Sequence, residues 1–430
     1  MSSSPAVVFL LDTPNVWRGR ALAGTPARVL GLAEHSYRAG AAVTLVLCDR
    51  GADYGTAADW PCDVLLVHPN DFYSDWRLAR MLESVTVATD FVSICEAEAL
   101  LTIGRELSRR LGARLVYDVH DDEAAVASSL GEPPATVRQY ETVQRAALEA
   151  TDYVFVSTRH EAGLVREAGI DGTRVAMLPN GADPDQHTWW GSAVDAATLV
   201  FVGNLYYEPN ARAVQAIRTM LLPSLRAEGL DIRVRAIGRG PAELTTPTDG
   251  LEFTGRVDSI NAALRGATVA LAPLTAGSGA KMKVLDYLAA GLPVLGTSEA
   301  VTGLSTDHPG VVVEDDLSAW ASVLAVLLRD HEALRAVGTD GRRSVERELS
   351  WHHIGSDLLS NVGVWLDHPA PKQLDPQAAT DALSVPRWLA EHGGQNALGS
   401  PEFTSQGRPV WLRRAEAHPP GVLGGRGASL

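Results

Sequence analysis

Residues 272–303 read APLTAGSGAKMKVLDYLAAGLPVLGTSEAVTG, and the fold follows from them. An apolar run ends at Pro273. A loop follows with glycine at 277 and 279, and then a helical period runs from about Ala280 to Ala290. Gly291 supplies a helix stop and Pro293 opens another apolar run. Strand, glycine loop, helix and strand in that order make one βαβ unit of a parallel sheet. The amides that start such a helix, together with its dipole, suit a phosphate. Lys283 and Asp286, three apart on one helical face, put a cation beside a carboxylate. That pair fits a ribosyl diphosphate, with the lysine meeting phosphate charge and the aspartate accepting from ribose hydroxyls. The same spacing also fits a solvated surface pair.

Working outward, the pattern repeats in both directions. Strand candidates in the first half begin at Ala6, Val43, Asp63, Phe91, Arg114, Tyr153 and Arg174. A second series begins at Leu199, Ile232, Leu251, Val269, Pro293 and Val311. Helical periods separate them, the first from about Pro26 to Arg38, and a terminal helix is expected near Ser350–Asp367. The fold class is therefore α/β, with two Rossmann-like doubly wound parallel sheets. The first domain spans residues 1–185, with the helix at 350–368 crossing back to it. The second spans 198–349. A turn-rich linker at 186–197 carries Trp189 and Trp190, which are expected to pack at a hinge. Residues 369–430 are Pro- and Gly-rich and read as flexible.

In open parallel sheets ligands lie beyond the carboxyl ends of the strands, so the chemistry is expected in the loops there. LVFVGNLYYEPN places Gly203 and Asn204 after a strand, with a helix entered at Pro209–Asn210 and ended by Pro223. Gly203 lets backbone approach a ligand, and Asn204 can hydrogen-bond it. RAIGRGP places Gly238 and Gly240 after another strand, but the third glycine of a dinucleotide fingerprint is missing, which argues against a nicotinamide enzyme. GSGAKMK is no P-loop either. Glu96, after the strand at Phe91, stands where an acceptor contact could be, and is expected to be an exposed loop glutamate. The acidic run from Asp118 to Glu123 could look like a metal site, but alternating side chains at a strand end rarely converge.

The 430 residues are too many for one ordinary core. Hydrophobic residues make up 46% and charged residues 21%, which is ordinary for a globular chain. The formal net charge of −15 disfavours nucleic acid and anionic membrane as main partners. Cys48, Cys62 and Cys95 read as buried thiols of a reducing compartment. No stretch reaches the roughly 20 apolar residues of a membrane span, and the start MSSSPAVVFLLD lacks a basic leader region, so a cytoplasmic protein is expected. The Ala-, Arg- and Gly-rich composition fits a GC-rich bacterial genome.

The order of the pieces FVGNLYYEPN, IGRGP, LEFTGRVDSI and ALAPLTAGSGAKMKVLDYLAAGLPVLGTSEAVTGL resembles glycosyltransferase family four, retaining enzymes of the GT-B fold (glycosyl transferases group 1). In the first half RLVYDVHDD and VAMLPNGAD are similar to family signatures, placing His120, Asn180, Gly181 and Asp183. Gly24 and Arg28 fall in a degenerate first loop and helix. The resemblance implies a nucleotide-sugar donor such as a UDP-hexose, no cofactor and no metal. It implies that Gly255-Arg256-Val257 holds the nucleobase. Gly277, Ser278, Gly279, Ala280 and Lys281 would hold the diphosphate, with Gly203, Asn204 and Gly238 alongside. His120 would lie by the donor sugar and Asp286 by the ribose. The family's acidic pair falls on Ser278 and Asp286, so its first glutamate is absent. The usual Arg and Lys after the Gly203 strand are replaced by Asn204 and Pro209–Asn210. The leaving-group role then shifts to Lys283, with Lys281 and Arg256 as helpers. The acceptor expected is a soluble small molecule or natural-product intermediate, while a sugar-nucleotide epimerase and a non-catalytic sugar-nucleotide-binding partner are the alternatives.

Overall fold

The computed structural model describes residues 4–21, 24–86, 88–185, 197–305 and 307–368, and the backbone of 410–412. The linker with Trp189 and Trp190, and the tail apart from 410–412, lie outside the described residues.

The first sheet contains β1 (Ala6–Leu11), β2 (Ala42–Cys48), β3 (Asp63–Val67), β4 (Phe91–Ile94), β5 (Arg114–Val119), β6 (Tyr153–Val156) and β7 (Val175–Met177). The second contains β8 (Thr198–Val202), β9 (Arg233–Ile237), β10 (Leu251–Phe253), β11 (Val269–Ala272), β12 (Val294–Gly296) and β13 (Val311–Val313). A last strand, β14 (Val410–Leu412), pairs antiparallel with β3 at the edge of the first sheet. The strand orders are β14-β3-β2-β1-β4-β5-β6-β7 and β10-β9-β8-β11-β12-β13. Both are doubly wound, and every pairing within the second sheet is parallel.

Strands covered on both faces should read as unbroken apolar runs, and they do. Every residue of β1 and of β11 is buried. Around the second sheet one core gathers Phe201, Val234, Leu271, Tyr287, Leu295 and Trp320. At about 25 cal/mol per Å² of apolar surface removed from water, this continuous burial is the main force holding the sheet.

The helices that bear on the site are α1 (Gly24–Arg38), α2 (Glu123–Ser129), α3 (Glu208–Ala216), α4 (Met282–Ala289), α5 (His331–Glu348) and α6 (Trp351–Asp367). One expectation needs correcting. Pro223 does not end the helix entered near Pro209: a π-helical turn at Ile217–Leu221 leads into a further helical segment at Leu222–Ala227. Pro223 sits in the first turn of that segment, where a missing N–H costs nothing.

The chain divides into two compact units. One comprises Met1–Asp118, Ala150–Tyr153 and Gly355–Leu430, the other Val119–Glu149 and Val154–Ile354. Within the first, Gly355 of α6 packs on the backbone of His35 in α1, and Trp365 stacks on Tyr153 with centroids 4.3 Å apart.

Candidate functional site

The strand order of the second sheet reverses between β8 and β11, so a crevice opens beyond their carboxyl ends. Three loops meet there through backbone. The N–H of Gly203 donates to Ile237 O at 2.9 Å, that of Leu205 to Arg239 O at 2.7 Å, and that of Gly238 to Gly255 O at 3.0 Å. Gly238 has φ +143, and a Cβ there would stand 1.9 Å from the Gly203 carbonyl oxygen, so only glycine fits. Gly203 makes room for a protein group. A Cβ on it would meet the Asn210 carboxamide at 2.8 Å.

Loop 277–281 is built just as tightly. Gly277 and Gly279 have φ +131 and +66. A Cβ on Gly279 would meet Asp121 Oδ1 at 2.1 Å and His120 O at 2.6 Å. The Asp122 amide donates to Ser278 Oγ at 3.1 Å, and Asn180 Nδ2 donates to Ala280 O at 3.1 Å. The Lys281 ammonium donates to Ser278 O at 2.7 Å, Gly279 O at 2.8 Å and Glu299 Oε1 at 3.0 Å. Lys281 therefore folds the loop, and its charge is shared with Glu299. The segment His120–Asp122 is itself pinned, since Ser157 Oγ donates to His120 O and Gln144 Nε2 to Asp121 O. Asp122 caps α2 through the Ala125 amide, and its Oδ2 lies 3.1 Å from His160 Nε2. Asp118 is bound to Arg28 instead.

The first turn of α4 follows the loop; the Val284 amide donates back to Lys281 O at 3.0 Å, and helix geometry leaves the amides before it without an intrahelical partner. Lys283 lies in that turn, half-buried, with its Nζ 4.6 Å from the Phe201 ring centroid. Its ammonium donates to Asn210 Oδ1. Burial, reinforced by the charge of Lys281, lowers its pKa to about 7. Among the described residues no carboxylate pairs with it. Asp286 lies three residues on, and the buried Tyr287 hydroxyl accepts from the Val202 amide at 2.6 Å, anchoring α4 to the end of β8.

The structure thus gathers Gly203, Asn204, Gly238 and Lys283 at one sheet edge, and Gly277, Ser278, Gly279, Ala280 and Lys281 against His120. Arg256 and Val257 stand on the next loop, the arginine exposed and the valine packed on the core. Glu299 and Tyr287 escaped the sequence reading, and so did the contacts that Asn210 and Asp121 make. Only Tyr287 had a signal, its four-residue spacing from Lys283. Glu96 is corrected: it is no exposed loop residue, and its Oε2 is buried without a hydrogen-bond partner. Burial, with the charge of Asp12 adding to it, pushes its pKa up to about 8.

Residues 196–330 match the family described as Glycosyl transferases group 1, and residues 23–181 match the Glycosyl transferase 4-like domain. The chain belongs to the group 1 glycosyltransferases. It is 30% identical over 157 residues to a GDP-mannose-dependent monoacylated alpha-(1-6)-phosphatidylinositol monomannoside mannosyltransferase of Corynebacterium glutamicum, covering 33% of this chain and 41% of that protein. It is 28% identical over 205 residues to a phosphatidyl-myo-inositol mannosyltransferase of Mycobacterium leprae, covering 44% and 53%. The chain thus spans about half the length of the curated relatives it matches. Among solved structures, sucrose-phosphate synthase from Thermosynechococcus elongatus superposes with a TM-score of 0.64 at 15% identity, covering 84% of this chain and 99% of that one. Anabaena HepE, solved with UDP and glucose, gives 0.61 at 12% identity, covering 84% and 100%. At such identities these two speak for the fold, which is GT-B. Among the described residues no helix of this group 1 glycosyltransferase is long and apolar enough to cross a membrane.

Proposed function

We propose that this chain transfers a hexosyl group, with retention and without a metal, from a nucleoside-diphosphate sugar to an acceptor hydroxyl. The observation that carries the reading is Lys283, a cation at the carboxyl edge of the second sheet whose partner is a neutral amide. An ammonium not neutralised by a carboxylate is available to a departing diphosphate. Donors of this kind are worth on the order of 3–4 kcal/mol in such a site. The first amides of α4 add to it, and Asp286 serves the ribose hydroxyls. His120 stands beside the donor sugar, and the backbone of Gly255-Arg256-Val257 serves the nucleobase. Ser278 cannot supply the family's first carboxylate.

The names of the curated relatives point to mannosyl transfer, from GDP-mannose in one of them, and to phosphatidyl-myo-inositol or its monoacylated monomannoside as acceptors. The net charge of −15 weighs towards a soluble hydroxyl-bearing acceptor instead, since it opposes an anionic surface. A thermal-shift series with UDP, GDP, UDP-glucose and GDP-mannose tests the donor class, because a ligand that binds the native state raises its stability. Lys283→Ala should fold normally and lose about a hundred- to a thousandfold in transfer rate. A variant with wild-type rates would remove Lys283 from the reaction.

A further inference from the structure

Asn210 makes contacts that no catalytic role yet explains. It is 7% exposed and lies in the first turn of α3. Its Nδ2 donates to Asn204 O at 2.9 Å, its Oδ1 accepts from the Lys283 ammonium, and its own amide donates to Tyr207 O at 3.1 Å. The carboxamide fills the space where a Cβ on Gly203 would stand. An ammonium has only donors and a carbonyl oxygen only accepts, so one orientation of the amide satisfies both neighbours. A carboxylate at the same place would hold the lysine but would neutralise it and face the Asn204 carbonyl with no donor. An aliphatic residue would leave both neighbours unsatisfied.

We propose that Asn210 is a positioning residue, whose amide holds the Lys283 ammonium aimed at the diphosphate without cancelling its charge. This rests on the anion-site reading of Lys283 given above. It explains how the chain works without the basic pair usual after the Gly203 strand: one cation is held in place by a buried amide tied to the loop that would line the ligand. The groups around the ammonium are few. β8 contributes the Phe201 ring, α3 contributes Asn210, and Lys281, the residue just before α4, adds a like charge. The helix Ile260–Leu264, packed on α4, has no ionisable side chain, and Arg342 of α5 binds Ala289 O at the other end of α4.

The test is calorimetric titration of the whole chain with UDP and with GDP between pH 6 and 9, alongside transfer kinetics. Wild type should bind one of them more weakly as pH rises through about 7, because the lysine sheds its proton there. Asn210→Asp should flatten that profile, since a carboxylate keeps the lysine protonated, and should weaken binding about tenfold. Asn210→Ala should keep a pH dependence but lose about tenfold in kcat/KM. Circular dichroism and melting checks that both variants are folded. If both bind and turn over as wild type with the same pH profile, while Lys283→Ala still abolishes binding, Asn210 has no positioning role and the anion site stands. If wild type binds neither nucleotide, or Lys283→Ala binds as well as wild type, the anion site itself falls.

Discussion

The two sheets offer two carboxyl edges of like topology and opposite chemistry. In the first sheet the order reverses between β1 and β4, and Leu10 pairs with Ile94. Two residues on, Asp12 therefore comes level with Glu96. Asp12 is taken by Arg50, whose Nε lies 2.6 Å from Oδ1, and by the Tyr73 hydroxyl at 2.6 Å. On the next strand Asp118 forms a bidentate pair with Arg28 at 2.6 and 2.9 Å, with both side chains at most 3% exposed. Each arginine on that edge already has its acid. The second edge carries Lys283 on an amide. A shared fold gives both sheets a switch point, while the pairing of charges differs between the two.

The sharpest way to break this comparison is at the buried pair. Arg28→Met should destabilise the first unit by roughly 3–5 kcal/mol in urea melts, because Asp118 is left as a buried, unpaired carboxylate. Arg28→Met with Asp118→Leu should recover much of the loss. A single variant as stable as wild type would show that the first edge is not closed by its own charges.

The two edges should also respond to pH with opposite sign. Glu96 titrates near 8 in the native chain against 4.5 unfolded, so between those values the folded state holds the extra proton. Its contribution is complete below pH 4.5 and is lost as pH rises to about 8. Lys283 titrates near 7 against 10.5, so there the unfolded state holds the extra proton, and stability rises from pH 7 to 10.5. One pKa unit is about 1.4 kcal/mol, and effects on the order of 1–3 kcal/mol are expected. Glu96→Gln should remove the fall and Lys283→Met the rise in melts across pH 5–10. Unchanged slopes would mean that neither group is desolvated.

The smallest effect calibrates the rest. Arg212 and Glu208 form an exposed pair one turn apart, with Nη2 2.6 Å from Oε1. Arg212→Ala should change stability by about 0.5 kcal/mol or less, as solvent screens such a pair. A cost of several kcal/mol would undo the ranking that separates buried from surface charge here.

Apolar periodicity and glycine punctuation by themselves determined the parallel strands of both sheets, their chain order and the loops at their carboxyl ends, but not β14, which comes from the tail that reads as flexible. These signals are local: runs such as AVVFLL and VALA state their burial within a few residues, and Gly277, Gly279 and Gly291 state their turns. Residues 272–303 even delivered Lys283 and Asp286 with the spacing of one helical turn. What Lys283 touches was decided only by tertiary structure, because Asn210 lies 73 residues away and meets it across β8. The same holds for Glu96, buried by the register of β1 and β4, and for Lys281, whose partner Glu299 comes from the loop after β12. Spacing along a chain says which side chains share a face. Only packing says which charges are already cancelled.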